Sequence, residues 1–546
     1  MSGTLGTRSC AIRRCRSKEH DIDKSDRKGL FSNFSLPARI PYPNLCFLCC
    51  LLFKSSLVSS VQAGAARSCH HPSPTAHANF MTSFTLMSSS LFSLETRTVP
   101  KINTKFRRIK TDLPVPESLP ILMRLKENEP RSMFCQPPVL WDRATNFRVY
   151  DAYGNIWLDW TSGVLVANAG HANPKVKQAI IDVVQKDLLH TFVFPTAIRE
   201  ALVGKLVAKA PQQLDKVYLF TTGSEATECA IKLARTYGQT LNPEKIGIVT
   251  FENAFHGRTL GAQMAGGIPS LKRWIKEGAP GFFQVPFPDG FRTPKYTFPD
   301  FLGSLSGYGL EAHRIAGVML ESYQGGGGSF APVEFIQSLR SWCEAHQIQL
   351  IFDEVQAGFG RTGRYFAFEH YDVVPDIICC GKGMSGSLPI SAVISKSAIM
   401  NLQEPGEMTS THAGNPVCCA AALASLAVID EECLVEKAES LGRILHVELA
   451  KLKFDHDVVG AVHGKGLVAG IHIVKPGTDE PDGEMAAEIA YQCFIRGLLL
   501  FAPLGFGNAT VKICPPLTIT EEAVIEGMEV LDEAIRVATG TPLAVH

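Results

Sequence analysis

From residue 176 onward, amphipathic helical stretches alternate with short runs of Val, Ile, Leu and Phe at 217–220, 246–251, 317–320, 349–352 and 377–380. No other feature constrains the fold as strongly. Strands that read as continuous apolar runs are buried on both faces, and strands separated by helices pair in parallel under a helical cover. The expected fold class is therefore α/β, a mostly parallel sheet sandwiched by helices. Such sheets place ligands at the carboxyl ends of their strands, so the residues just after each run are the candidates for chemistry. On either side the pattern differs. Pro114-Val115-Pro116 precedes a helix-like stretch at 117–127, and short β-rich pieces at 150–160 flank the turn Tyr153-Gly154-Asn155. Beyond about 420 the chain is helix-rich, then carries short strands at 458–474, a turn at 476–482, a helix and a strand at 510–514. This reads as a smaller α+β unit. The expected division is a basic leader at 1–110, the N-terminal part of a small domain at 111–165, a large domain at 166–419 and the C-terminal part of the small domain at 420–546.

The 53 basic and 53 acidic side chains cancel, but unevenly: residues 1–110 hold 17 Lys+Arg against 5 Asp+Glu. A basic appendage on a mildly acidic globule argues against a nucleic-acid-binding surface. No acidic residue occurs between Phe31 and Leu94, where Ser, Thr, Arg, His and Pro are frequent. That composition matches an organelle transit peptide, with the mitochondrion favoured and a cytoplasmic protein the alternative. A secretory signal around 45–66, an unstructured extension and a start at Met81 are competing readings of the same stretch. The apolar run at 45–53 is well short of the roughly 18 residues that would suggest a membrane span. Cys46 and Cys49 have CxxC spacing but no second pair, so no metal site is expected. Adjacent pairs among the 16 cysteines, such as Cys379-Cys380 and Cys418-Cys419, suggest buried thiols rather than disulfides.

Three strand ends carry the chemistry. The run 217–220 leads into Thr221-Thr222-Gly223-Ser224-Glu225 and then a helix, a turn that aims backbone N–H groups at an anion. The same residues also suit a plain helix cap. The run 349–352 ends in Asp353-Glu354 and is followed by Gly358-Phe359-Gly360-Arg361-Thr362-Gly363, which spells GxGxxG. Neither nucleotide hydrolysis nor dinucleotide binding fits. No GxxxxGK[ST] loop exists, the glycine run does not follow its strand directly, and no acid closes the next strand. The third end is Cys380-Gly381-Lys382-Gly383, where a partly desolvated lysine is available as a nucleophile. An anion seat, a strand-end carboxylate and a strand-end lysine together suit pyridoxal 5′-phosphate. Phe255, in Asn253-Ala254-Phe255-His256-Gly257-Arg258-Thr259, offers an aromatic plate for the ring.

Five segments in order, TTGSEA at 221–226, FHGRT at 255–259, IFDEVQAGFGRTG at 351–363, GKGMSGSLP at 381–389 and THAGNP at 411–416, resemble the class III pyridoxal-phosphate aminotransferases of fold type I, in particular the 4-aminobutyrate aminotransferases. The resemblance covers about 148–531. It implies that Lys382 holds the cofactor as a Schiff base and moves a proton, and that Asp353 pairs with the ring nitrogen. Gly223, Ser224, Phe255, His256, Gln356 and Thr411 complete the cofactor site, with Thr411 reaching across from the partner of a homodimer. Arg258, Val164 and Lys512 are the implied substrate residues. Amine and keto acid substrates follow, with no nucleic-acid or membrane partner. Three positions depart from the pattern. Phe255 stands where Tyr is frequent, Gly326 where 4-aminobutyrate aminotransferases have Glu, and Lys512 where they have an α-carboxylate-binding Arg. A lysine lacks the planar two-point grip of a guanidinium, so Lys512 reads either as a point-charge ligand or as a structural substitution. Transamination of an ω-amino acid or related amine is the expected activity. Elimination from a phosphorylated or phosphono amino alcohol is the alternative.

Overall fold

Seven strands make the central sheet: β1 Lys216–Phe220, β2 Gly247–Phe251, β3 Phe282–Val285, β4 Ile315–Glu321, β5 Gln349–Asp353, β6 Ile377–Cys380 and β7 Ser391–Ser395. This computed structural model describes residues 92–542, which lie within a single compact unit. The spatial order is β1-β7-β6-β5-β4-β2-β3. Only the two pairings of β7 are antiparallel, so the other six strands run the same way. All five apolar runs lie in this sheet. The expectation omitted β3 and β7, which are short and bracketed by Gly, Ser and Pro.

Alternation along the strands explains why both faces are apolar. Met319, Ile351, Cys379 and Val393 point to one side, where they meet Ala226, Ala230 and Ala234 of helix α1, Gly223–Leu241. Their neighbours Leu320, Leu350, Phe352, Ile378 and Ile394 point into the larger core on the other side. Each fully buried side chain of this size contributes roughly 1.5–3 kcal/mol. The alanine spacing also lets α1 lie close to the sheet, since a Cβ on Gly317 would come 3.3 Å from Ala234 Cβ.

The leader boundary requires correction over 92–110. Ile102–Asn103 pairs with Arg108–Ile109, and that strand continues onto Ile156–Asp159. Val99, Phe106 and Ile109 are buried. Arg107 donates to Glu526 Oε1 at 2.6 Å and to the Arg496 carbonyl at 2.6 Å, fastening this stretch to the C-terminal part of the chain. Part of the excess positive charge assigned to a head thus belongs to the globule, where acidic side chains from distant sequence meet it. The transit-peptide reading and the Cys46/Cys49 pair lie outside the described residues. Leu498–Leu499 pairs parallel with Ile156–Asp159, joining the two stretches expected to share a small domain. Val459–Lys465, Val468–Ile473 and Thr510–Ile513 form a separate antiparallel sheet. Among the described residues, ten cysteines are free, no helix is long and apolar enough to cross a membrane, and no cluster of metal-ligating side chains occurs.

Candidate active site

Four neighbouring parallel strands, β6, β5, β4 and β2, end side by side, and each delivers one functional group. Lys382 follows β6 after a single glycine, in a left-handed backbone conformation with φ 39°. Asp353 closes β5 and lies in register with Glu321, which closes β4. Phe255 and His256 follow β2. Asp353 is held at both oxygens: one accepts from the Val355 amide at 3.1 Å, the other meets His256 Nδ1 at 2.8 Å. Burial opposes protonation of His256, but the hydrogen bond and charge of Asp353, with Glu321 behind, carry its pKa above the ordinary imidazole value. Lys382 experiences the opposite outcome. Desolvation lowers its pKa despite the nearby charges of Asp353 and Glu321.

The anion seat is built on the first turn of α1. Thr222 caps the helix, accepting from Glu225 N, and the Glu225 carboxylate accepts in return from the amides of Thr221 and Thr222. The capping reading therefore holds for the two threonines. It leaves the Gly223 and Ser224 N–H groups at the open helix end, where the helix dipole favours negative charge by roughly 0.3–1 kcal/mol. Gly223 is required here: a Cβ would sit 2.7 Å from Val355 Cγ1, closing the space between the helix end and the residue after Asp353-Glu354. Ser224 Oγ accepts from Arg258 N at 3.2 Å, tying the seat to the loop after β2.

The remaining expected residues separate into two groups. Phe255 is half-buried beside Glu321, which accepts from its amide at 3.0 Å, and the exposed Arg258 guanidinium lies 5.6 Å from the Phe255 ring centroid. Gln356, three residues beyond the end of β5, joins the cluster through Lys512. Lys512 itself does not open toward the cleft. It is 2% exposed and donates to the Gly325 carbonyl and to Gln356 Oε1, both at 2.5 Å. Thr411 is exposed, its carbonyl accepting from His190 Nε2 at 2.9 Å, and no hydrogen bond within the subunit joins it to Lys382 or Asp353.

Val164 belongs to an unusual turn. Ser162, Gly163, Val164 and Leu165 have φ of 50°, 56°, 67° and 58°, four consecutive left-handed residues. They close helical hydrogen bonds, Leu165 N to Thr161 O and Val166 N to Ser162 O, with the hand reversed. For L residues other than glycine this costs roughly 1–2 kcal/mol each, and Val164, being β-branched, is a marked outlier. The turn presents Val164 to solvent at 52% exposure. Arg361 holds the turn in place. Fully buried, it donates to Ser162 Oγ at 3.3 Å, Asn168 Oδ1 at 2.8 Å, the Leu467 carbonyl at 3.0 Å and the Pro515 carbonyl. Asn168 in turn packs on Gly383, where a Cβ would come 2.4 Å from its Nδ2, so the network reaches the residue next to Lys382.

Glu321, Arg361 and Asn168 are missed by the sequence reading. Glu321 was legible in principle, because it is the last residue of a strand. Arg361 sits inside the glycine run that failed as a dinucleotide motif. Glu354 turns away from the cleft and caps another segment, accepting from Ala367 N at 2.9 Å and Phe368 N at 2.8 Å.

Burial, with Asp353 alongside, pushes the Glu321 carboxyl up to about 7. The folded chain thus binds a proton that the unfolded chain releases near 4.5, so this group's contribution to stability falls as pH rises from about 4.5 to 7 and stays low above it. Denaturant titrations of the cofactor-free protein at pH 5 and pH 7.5 should therefore give a drop that is smaller in Glu321→Gln, by on the order of 3 kcal/mol at the limit. An unchanged drop would mean that Glu321 does not titrate in this range.

The chain matches the family model for aminotransferase class-III over residues 132–535. It is 34% identical over 450 residues to a 4-aminobutyrate aminotransferase of Mycobacterium leprae, covering 79% of this chain and 98% of the relative. It is 35% identical over 391 residues to an acetylornithine aminotransferase of Methanopyrus kandleri, covering 71% and 92%. Among solved structures, a Bacillus anthracis aminotransferase superposes with a TM-score of 0.71 at 29% identity, covering 77% of this chain and 99% of that one.

Proposed function

The chain belongs to the class III aminotransferases, pyridoxal-phosphate-dependent enzymes that transfer amino groups, and from that membership we propose that it takes the amino group of an ω-amino acid or related amine, with Lys382 as its central group. The observation that carries the reading is the convergence of Lys382, Asp353 and the open end of α1 on one cleft, each from a different strand end.

The donor set fits the cofactor. Gly223 leaves a cradle that a side chain would fill, and the first-turn N–H groups suit a phosphate. Asp353, braced by His256, would hold a proton on a ring nitrogen, and the half-buried Phe255 would offer an aromatic plate for the ring. Bound pyridoxal phosphate supplies an electrophilic aldehyde and an electron-withdrawing ring. The rest is done by the protein. Lys382 Nζ, its pKa lowered by burial, would hold the aldehyde and would accept and return a proton at the substrate carbon. His256 holds the Asp353 carboxylate in place through its Nδ1 hydrogen bond. Arg258, exposed and without an ion pair among the described residues, is the group for a substrate carboxylate. Val164, held out on its left-handed turn, bounds the same cleft.

Exposure of Thr411 supports a homodimer in which the partner copy supplies this residue. The basic, acid-poor head supports a mitochondrial address. Names of relatives such as the 4-aminobutyrate aminotransferase support an ω-amino acid as donor.

Incubating the holoenzyme with 4-aminobutyrate and related amines in the absence of any keto acid tests the reaction. One amino group per subunit should be retained by the protein, with a single loss of visible colour and no ammonia. Ammonia released over many turnovers from a phosphorylated amino alcohol would establish elimination instead.

A further inference from the structure

The strand ends and the glycine loop bring three cationic side chains into one neighbourhood: Lys382, Arg258 and Lys512. Lys382 is committed to the cofactor in the reading above, on which the following rests. The other two differ in what remains free. Arg258 is exposed, bonds no carboxylate among the described residues and reaches solvent past the Phe255 ring. Two of the three Lys512 N–H donors are engaged within the protein, by Gly325 O and Gln356 Oε1, and the ammonium nitrogen lies 5.6 Å from the Tyr323 ring centroid. Swinging this ammonium onto a ligand would leave a buried carbonyl and a buried amide oxygen without donors.

Space beside it is equally limited. A Cβ on Gly326 would come 3.2 Å from Gly505 Cα, so the loop over Lys512 is pressed against another backbone and has little room for an acid or base that could recruit it. On the other side, Gly325 lies under Glu321 and Gln356, with a Cβ there only 2.6 Å from Glu321 Oε1. Lys512 is therefore walled in by Glu321, Gln356, Tyr323 and the glycine loop. Burial pushes its pKa down to about 8.

We propose that Lys512 is a positioning residue for Gln356 rather than an anion ligand, and that among the described residues of one subunit Arg258 is left as the cation free to meet a substrate carboxylate: donors and acceptors each carry a single carboxylate, and the amino acceptor is a monocarboxylic 2-oxo acid. Among the described residues of the subunit, a second carboxylate on a dicarboxylic 2-oxo acid would meet no unpaired cation beside Lys512. The transfer itself is balanced in the usual way, the amine of one substrate becoming a carbonyl while the carbonyl of the other becomes an amine.

The experiment compares kcat/KM of the holoenzyme for pyruvate and 2-oxobutyrate with that for oxaloacetate and 2-oxoglutarate, using one fixed amino donor. At least a tenfold preference for the monocarboxylic acids is expected, and any smaller ratio overturns the proposal. Lys512→Met should then lower kcat for both classes alike and leave their KM ratio within about twofold, because it loosens Gln356 and not a carboxylate grip. A rise in KM confined to the dicarboxylic acids would place Lys512 on the substrate and overturn the positioning role. Should Lys512→Met fail to fold, Gln356→Ala in the wild-type background serves the same purpose: an equal fall in kcat for both classes supports the proposal, and a class-selective change sinks it. Failure of the underlying reaction is seen separately, as ammonia release with the amine alone and no keto acid.

Discussion

Lys382→Ala should lose amino-group transfer by about a thousandfold or more, the scale expected when a positioned proton-transfer group and nucleophile is removed. Two lysines lie near the strand ends, and geometry separates them. Lys512 is buried and held by two acceptors inside the protein, whereas Lys382 is only partly covered and bonds no neighbour within the described residues. Its lowered pKa follows from desolvation at the base of the cleft, opposed but not cancelled by Asp353 and Glu321. Reducing the holoenzyme with borohydride and mapping the peptides should place the cofactor's added mass on Lys382 alone. In Lys382→Ala the mass should be absent after denaturation, although the cofactor still binds through the α1 end and Asp353. Added mass on the peptide containing Lys512, or on any peptide of the variant, would show that the attachment point has been misassigned.

Arg361→Met should destabilise the protein by about 3 kcal/mol or more. Removing the guanidinium strands four acceptors in the interior, and each hydrogen bond to a charged group is worth roughly 1.5–3 kcal/mol, partly offset by ending the desolvation of the cation. The second consequence is local. Ser162–Leu165 keep their reversed hand only while neighbouring structure enforces it, and Arg361 supplies one of those restraints through Ser162 and Asn168. Released, the turn relaxes and Val164 leaves the cleft. Denaturant unfolding reads the first effect. The second is read as a rise in KM for the amine of roughly tenfold at a temperature where the variant is fully folded, with cofactor retention unchanged. Lys at 361 should restore only part of both, since an ammonium cannot serve four acceptors in the plane of a guanidinium. A variant as stable as wild type would remove the clamp from consideration.

The sheet and the three strand-end groups were legible because each rests on short-range pattern. Apolar runs marked the parallel strands, and the rule that ligands meet parallel sheets at their carboxyl ends pointed to Ser224, Asp353 and Lys382. Glu321 obeyed the same rule and was passed over, since its segment drew attention only for the glycine at 326. Arg361 and Asn168 carry no local signal. Their importance comes from partners 106 to 199 residues away, which the chain brings together only when it folds. The start of the globule was misplaced for a similar reason. Residues 92–110 look like the basic head by composition, but Arg107 finds Glu526 and Ile109 finds a core that sequence proximity does not reveal.

Lys512 marks the division most clearly. As a residue type at a position, it was open to two readings, a point charge for a ligand or a structural substitution. Sequence by itself determined the fold class, the family and the cofactor chemistry and pointed to the lysine proposed to serve it, because these depend on periodicity and on motifs whose members lie close along the chain. Tertiary structure decided which charges are free to act. A cation's availability depends on what occupies its donors and on how much water it has lost, and both are set by segments that meet only in the folded protein: Gly325, Gln356 and Tyr323 around Lys512, solvent around Arg258, and Asp353 and Glu321 beside Lys382.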